Sequence, residues 1–157
     1  MACTVETERG VTTVRAHTQL QLLGDGPPRP RLLPATFTYR SDDPYAVRVV
    51  FGEPPGAQVE WVFARELLVE GLRHASGTGD VRVHREAAVA GQEGPDRVHI
   101  SLSSPEGRAL LAMPSGDLET FLAKTRAAVV YGSEHRHMRV PWETLTEELW
   151  WHPNSHR

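Results

Sequence analysis

Cysteine, lysine and long apolar runs are scarce in this chain of 157 residues. Its single cysteine, Cys3, has no partner for an intramolecular disulfide and cannot form a thiolate metal cluster alone. No apolar run reaches the roughly 18 to 20 residues that a membrane-spanning helix requires. The acidic start of the chain also lacks the basic and apolar segments of a secretion signal. These absences favour a cytosolic protein.

The charge balance is slightly acidic. Seventeen basic residues face twenty acidic ones, which gives a net charge of −3. Lys124 is the only lysine, so nearly all of the basic residues are arginine, as is typical of GC-rich coding. The abundance of arginine is therefore no sign of phosphate recognition, and the net charge argues against a general polyanion binder.

Length and composition predict one folded domain. Hydrophobic residues make up 39% of the chain and charged residues 24%, which is typical of a compact globular protein. We interpret residues 1–157 as a single domain with its core at about 12–149. Residues 1–11 and 150–157 are expected to be flexible or an extension, with the N terminus frayed.

Alternation of apolar and polar residues predicts seven strands in two groups. The predicted strands lie at 12–23, 33–39, 45–51 and 59–63 in the first group, and begin near 81, 98 and 109 in the second. Helical periodicity follows each group, and a last helix is predicted from near Pro141. The pattern indicates an α+β fold made of two antiparallel β-meander-plus-helix halves with an extra C-terminal helix.

Eight histidines raise the question of a metal site. The densest cluster is Glu134, His135, Arg136 and His137. The imidazoles of His135 and His137 are two residues apart and share a face only if this segment is extended. His84 and His99 could add ligands, but they lie on the polar phase of their strands without a diagnostic spacing. We therefore predict neither a metal nor a cofactor.

No constellation for covalent or acid–base catalysis is evident. The sequence has no Gly-x-Ser-x-Gly elbow, and Cys3 lies in a terminus that cannot hold an attack geometry. Glu66 and Glu70 share a helix face, but Arg65 and Arg73 beside them indicate a solvated ion-pair face. We therefore predict no catalytic residues and no enzymatic activity.

Nucleic-acid binding remains as an alternative. The polar phase of the predicted sheet carries Arg15, Arg48, Arg82 and Arg108. Binders of single strands also need exposed aromatic rings on which bases stack. Here the strand aromatics fall on the apolar phase and are predicted to lie in the core: Phe37, Tyr39, Tyr45, Phe51, Trp61 and Phe63. The arginine face therefore supports only an alternative hypothesis, a single-stranded nucleic-acid-binding module.

Two segments are candidate surfaces for protein partners. The loop at 134–137 carries charged and hydrogen-bonding groups that we expect to be exposed and suited to carboxylate-rich partners. Trp150 and Trp151 are adjacent, so both cannot face one core if the segment is helical. At least one of these two rings is therefore exposed or committed to a partner, unless the segment packs back onto its own domain.

Five segments of the sequence resemble a known protein family. They are DPYAV (43–47), VEWVFARELL (59–68), GTGDVRV (77–83), LSSPEG (102–107) and GSEHRH (132–137). In residues and in order they are similar to the SsgA-like family of sporulating actinomycetes, over about 12–149. His84 departs from the tryptophan that is common in this family, and 130–131 replaces a proline pair.

This resemblance implies a non-enzymatic protein of cell division that acts at sporulation septa in the cytoplasm. It implies that the protein helps to localise the tubulin-like GTPase FtsZ to septum sites and promotes its assembly, together with an SsgA-type partner and without a cofactor. The implied fold resembles the Whirly and mitochondrial guide-RNA-binding proteins. The implied assembly is a trimer.

Overall fold

The described part of the chain forms one antiparallel sheet with two helices. The structure is a computed structural model that describes residues 1–24, 31–91 and 93–138. The strands are β1 (Ala2–Glu8), β2 (Val11–Leu23), β3 (Arg31–Arg40), β4 (Asp43–Phe51), β5 (Val59–Ala64), β6 (Val81–Glu86), β7 (Arg97–Ser104) and β8 (Gly107–Pro114). The helices are α1 (Arg65–Gly71) and α2 (Ser115–Ala128), and a 3-10 turn, Glu134–Arg136, follows α2. The seven predicted strands and the α+β class are confirmed.

The sheet joins both predicted halves through β2. Its order is β5-β4-β3-β2-β8-β7-β6, and β1 also pairs with β2. One edge of β2 pairs with β3 over ten residue positions. The other edge is shared, because β1 lies along residues 11–17 and β8 along residues 21–23. The two meanders are therefore parts of one continuous sheet.

The N terminus is a strand, and the prediction of a frayed end was wrong. Residues Ala2–Glu8 form β1, paired with β2 from Ala2 opposite His17 to Glu8 opposite Val11. Most of its side chains are exposed. Alternation of apolar and polar residues did not predict this strand, because backbone pairing rather than burial of an apolar face holds it in place.

The core lies between the inner face of the sheet and the two helices. Phe37 of β3 meets Phe121 of α2 edge to face, with ring centroids 5.7 Å apart. Helix α1 approaches β6 at Gly71, where a Cβ atom would lie 2.3 Å from Cγ1 of Val83. This position therefore accepts glycine and excludes larger residues.

Tyr45 is not in the core, contrary to the sequence prediction. Tyr39 faces Val47 across β3 and β4, but the next paired position joins Arg40 to Asp43, so β4 bulges between these two pairs. The bulge changes the alternation of burial along β4. Tyr45 is exposed as a result, whereas Phe37, Tyr39, Phe51 and Phe63 are buried as predicted and Trp61 is partly buried.

The predicted C-terminal helix, with Trp150 and Trp151, lies outside the described residues. Its relation to the domain therefore stays a prediction. Among the helices that are described, none combines the length and the apolar character needed to cross a membrane.

Candidate functional site

Arg65 is a buried charged residue. It is the first residue of α1 and is only 1% exposed. The prediction that it belongs to a solvated helix face was therefore wrong. Helical periodicity assigned Arg65 to the polar side, but its side chain reaches the carbonyl oxygens near the C-terminal end of α2.

The Arg65 guanidinium is held by main-chain oxygens, a carboxylate and two aromatic rings. Nη1 donates to the carbonyl oxygens of Thr125 at 3.2 Å and Val129 at 2.8 Å, near the end of α2. Nη2 forms an ion pair with Oε1 of Glu134 at 2.5 Å. The carbon Cζ lies 4.9 Å from the ring centroid of Tyr39 and 4.6 Å from that of Tyr131. Together these contacts stabilise a charge that would be costly to bury alone.

This cluster changes the ionisation of its neighbours. Burial raises the pKa of Tyr39 to about 12, against the opposing effect of Arg65. Burial would also raise the pKa of Glu134, but hydrogen bonds from its own backbone N–H, from Arg65 and from Gly132 hold that pKa below its usual value. Glu134 is therefore a carboxylate at neutral pH, as the ion pair requires.

The predicted partner loop contains one anchored residue and three exposed ones. The Glu134 side chain is only 14% exposed, so the prediction that it is freely accessible was wrong. Its ion pair with Arg65 fastens the start of the 3-10 turn to the core. His135, Arg136 and His137 follow, and all three are exposed. The carboxylate thus fixes the position of a short basic surface.

The four arginines of the alternative hypothesis lie on one face of the sheet. Arg15 pairs in register with Thr38, and Thr38 pairs with Arg48, so these side chains share a face. Arg82 and Arg108 lie on the same face at the other end of the sheet. We call this face, opposite the core, the outer face. All four arginines are exposed, as the sequence predicted.

The two ends of the outer face differ in how their arginines are engaged. Arg48 pairs with Glu60 at 3.0 Å and with Asp43 at 3.8 Å, so acidic residues already balance its charge. Arg82 and Arg108 border an open groove of about 730 Å³. The outer face is therefore not uniformly basic.

Two histidines and a glutamate meet on β6 and β7. His84 lies directly opposite His99, and Nε2 of His84 is 3.2 Å from Nδ1 of His99. Oε2 of Glu86 lies 3.1 Å from the same Nδ1 atom. Burial lowers the pKa of His99, with Glu86 opposing this effect and His84 adding to it. Residue spacing gave no sign of the group, because the β6–β7 register alone brings it together.

The comparisons with known proteins agree on one family. The family model described as Streptomyces sporulation and cell division protein, SsgA, matches residues 33–134. Sporulation-specific cell division protein SsgB of Streptomyces coelicolor is 50% identical over 111 residues, which cover 71% of this chain and 78% of that protein. The protein of the same name from Salinispora tropica is 44% identical over 133 residues, covering 82% and 88%.

Solved structures give the same result. A structure described under "Mutations in SsgB correlate to longitudinal cell division during sporulation of Streptomyces coelicolor" has a TM-score of 0.74 and 45% identity, covering 84% of this chain and 100% of that one. An SsgA-like sporulation-specific cell division protein from Thermobifida fusca has a TM-score of 0.71 and 34% identity, covering 91% and 99%. With the family model matching well over half of its length, the chain belongs to the SsgA family of sporulation and cell division proteins.

Proposed function

We propose that this protein acts in sporulation-specific cell division as a non-enzymatic binding protein. In this proposal it works in the cytoplasm at the division septum, where it helps to localise FtsZ and promotes FtsZ assembly together with an SsgA-type partner. Membership of the SsgA family supports the cellular process. The observation that supports a binding role is the exposed basic turn that Glu134 anchors to Arg65.

The anchored turn suits recognition of an acidic protein surface. Arg136 offers a planar guanidinium that can bind a carboxylate through two parallel hydrogen bonds. His135 and His137 add ring N–H donors beside it. Because the ion pair between Arg65 and Glu134 fixes the start of the turn, little conformational entropy is lost when a partner binds.

The assembly state and the finer fold class are part of the same proposal. We propose that the sheet is of the Whirly type and that the chain forms a trimer, as the family resemblance implies. Exposed apolar side chains on the edge strand β5, Val59 and Val62, support association between chains. Sedimentation equilibrium should give the mass of three chains, and the mass of one chain would contradict the trimer.

Co-sedimentation with GTP-assembled FtsZ from the same organism tests the binding role. Wild-type protein should pellet saturably with the polymers. The double variant Arg136→Ala/His137→Ala should bind at least about tenfold more weakly, because it removes a charge-assisted hydrogen-bonding surface. The matched control is Arg73→Ala/His74→Ala, which removes another exposed Arg-His pair in the turn after α1.

The outcomes separate the partner surfaces. Equal loss in both double variants would contradict a specific role for the turn, and absence of pelleting by wild-type protein would contradict direct contact with FtsZ.

Truncation after Leu149 tests the prediction that Trp150 and Trp151 contact a partner. If they do, the truncated protein should bind more weakly than the full chain.

A second candidate function rests on the outer face. Arg15, Arg82 and Arg108 have no acidic partner among the described residues, and two of them border the groove. A single-stranded nucleic-acid-binding module would use this face and would lose affinity steeply as salt rises. Adding single-stranded DNA to the co-sedimentation assay distinguishes the two functions. Pelleting that DNA leaves unchanged favours protein binding, and saturable, salt-sensitive DNA binding favours the alternative.

A further inference from the structure

A histidine pair and a carboxylate converge on the outer face at the edge strand β6. His84 lies opposite His99 in the register of β6 and β7. Glu86, two residues beyond His84, projects from the same face of β6. The imidazole rings pack edge to face, with centroids 4.9 Å apart. Strand pairing thus holds three potential metal ligands together without the help of a flexible loop.

Two distances between the candidate ligand atoms are slightly shorter than those around a tetrahedral metal ion. Zn²⁺ binds imidazole nitrogen and carboxylate oxygen at about 2.0 to 2.2 Å, so neighbouring ligand atoms lie about 3.3 to 3.6 Å apart in a tetrahedral site. Nδ1 of His99 is 3.2 Å from Nε2 of His84 and 3.1 Å from Oε2 of Glu86. One ligand atom from each of the three residues lies within 4.8 Å of the other two. Small side-chain adjustments are enough to surround an ion.

Hydrogen bonding alone satisfies this group poorly. Nδ1 of His99 can carry only one proton, yet a nitrogen of His84 and an oxygen of Glu86 both lie within bonding distance of it. If Nδ1–H of His99 donates to Glu86, the Nε2 lone pair of His84 can only share that same proton. If His84 donates to Nδ1 instead, the lone pair of Nδ1 faces the carboxylate oxygen and the two repel each other. A cation between the three atoms would accept a lone pair from each.

We propose that His84, Glu86 and His99 form a binding site for Zn²⁺ in which a fourth coordination position stays open. Two imidazoles and one carboxylate are a ligand set typical of Zn²⁺ sites that keep an open position. The His99 side chain is only 13% exposed and so is held in place, whereas Glu86 is 59% exposed. Water therefore has access to the fourth position. This site is independent of the basic turn at Glu134–Arg136.

Zinc titration of the full chain tests the proposal. After treatment with a chelator, the protein is titrated with Zn²⁺ in an isothermal calorimeter, with a parallel competition against a chromogenic chelator. Wild-type protein should bind one Zn²⁺ per chain at the site. His84→Ala and Glu86→Ala should each weaken binding at least about tenfold, since even residues that only orient metal ligands contribute 10- to 100-fold.

The control variant removes the other pair of neighbouring histidines. His135→Ala/His137→Ala should bind Zn²⁺ as wild-type protein does. Absence of zinc binding by the wild type, or unchanged binding in His84→Ala, would overturn the proposal. So would loss of binding in the control variant alone.

A thermal measurement distinguishes loss of the zinc site from misfolding of a variant. The exposed Glu86 can be replaced with little effect on folding. Zn²⁺ should raise the melting temperature of wild-type protein because it binds the folded state, and should raise that of Glu86→Ala much less. An equal rise in both proteins would show that zinc binds elsewhere.

Discussion

Replacing Glu134 by glutamine removes the carboxylate that pairs with the buried Arg65 guanidinium. The change keeps the size of the side chain and an oxygen that can accept a hydrogen bond. It therefore tests the charge of the pair with little change in packing. We expect Glu134→Gln to destabilise the domain, because Arg65 remains a cation inside the protein.

The expected magnitude follows from the contacts of Arg65. Removal of one partner of a buried ion pair costs about 3 to 5 kcal/mol. The cost is smaller here because the carbonyl oxygens of Thr125 and Val129 and the rings of Tyr39 and Tyr131 still surround the cation. We therefore expect a loss of about 2 kcal/mol in the free energy of unfolding. For a domain of this size such a loss lowers the melting temperature by about 4 to 8 °C.

Chemical denaturation at neutral pH measures this loss, with Glu60→Gln as the matched control. Glu60 also pairs with an arginine, Arg48 at 3.0 Å, but its side chain is 53% exposed. An exposed pair contributes at most about 1 kcal/mol. If Glu134→Gln and Glu60→Gln differ from wild-type protein by the same small amount, the charge of Glu134 does not balance that of Arg65 and the reasoning is refuted.

Three further predictions concern the same core. The folded state holds the pKa of Glu134 below its ordinary 4.5, so its stabilising effect is complete above pH 4.5. The stability difference between wild-type protein and Glu134→Gln should therefore shrink as pH falls below 4.5, and a constant difference in denaturation midpoints would contradict this. Gly71→Ala should cost about 1 to 3 kcal/mol because its Cβ would collide with Val83. Gly79→Ala, with open space around it, should change stability by less than about 0.5 kcal/mol in the same chemical-denaturation assay. Tyr39→Phe should leave the free energy of unfolding equal or slightly higher, because the buried hydroxyl has no hydrogen-bond partner among the described residues, and a loss above about 1 kcal/mol would contradict that.

The strands could be predicted because one face of the sheet is buried. Val14, Ala16 and Leu20 of β2 are fully buried, and the polar residues between them give the alternation that the sequence displays. The strand β1 escaped prediction because its side chains are mostly exposed and carry no such signal. The bulge in β4 escaped prediction because the three residues 44–46 lie between consecutive paired positions, which changes the phase of burial without changing the composition and misplaced Tyr45.

The sites were harder to predict because their residues are distant in sequence. Arg65 and Glu134 are 69 positions apart, and no local pattern indicates that they form an ion pair. Burial of an arginine also runs against its usual preference for the surface. His84 and His99 are a different case, because they belong to one hairpin. Correct pairing of β6 with β7 would have placed them opposite each other, whereas spacing along the chain could not.

Among the described residues, the join between the two meanders has the fewest paired positions in the sheet. Only Gln21, Leu22 and Leu23 of β2 pair with β8, and nearly 90 residues of chain separate the two sides of that join. Helix α2 contacts β2, β7 and β8 and so spans the join from the core side. A force that pulls the meanders apart would be resisted mainly by side-chain packing under α2 rather than by backbone pairing. The angle between the two meanders therefore depends on how α2 packs across the join.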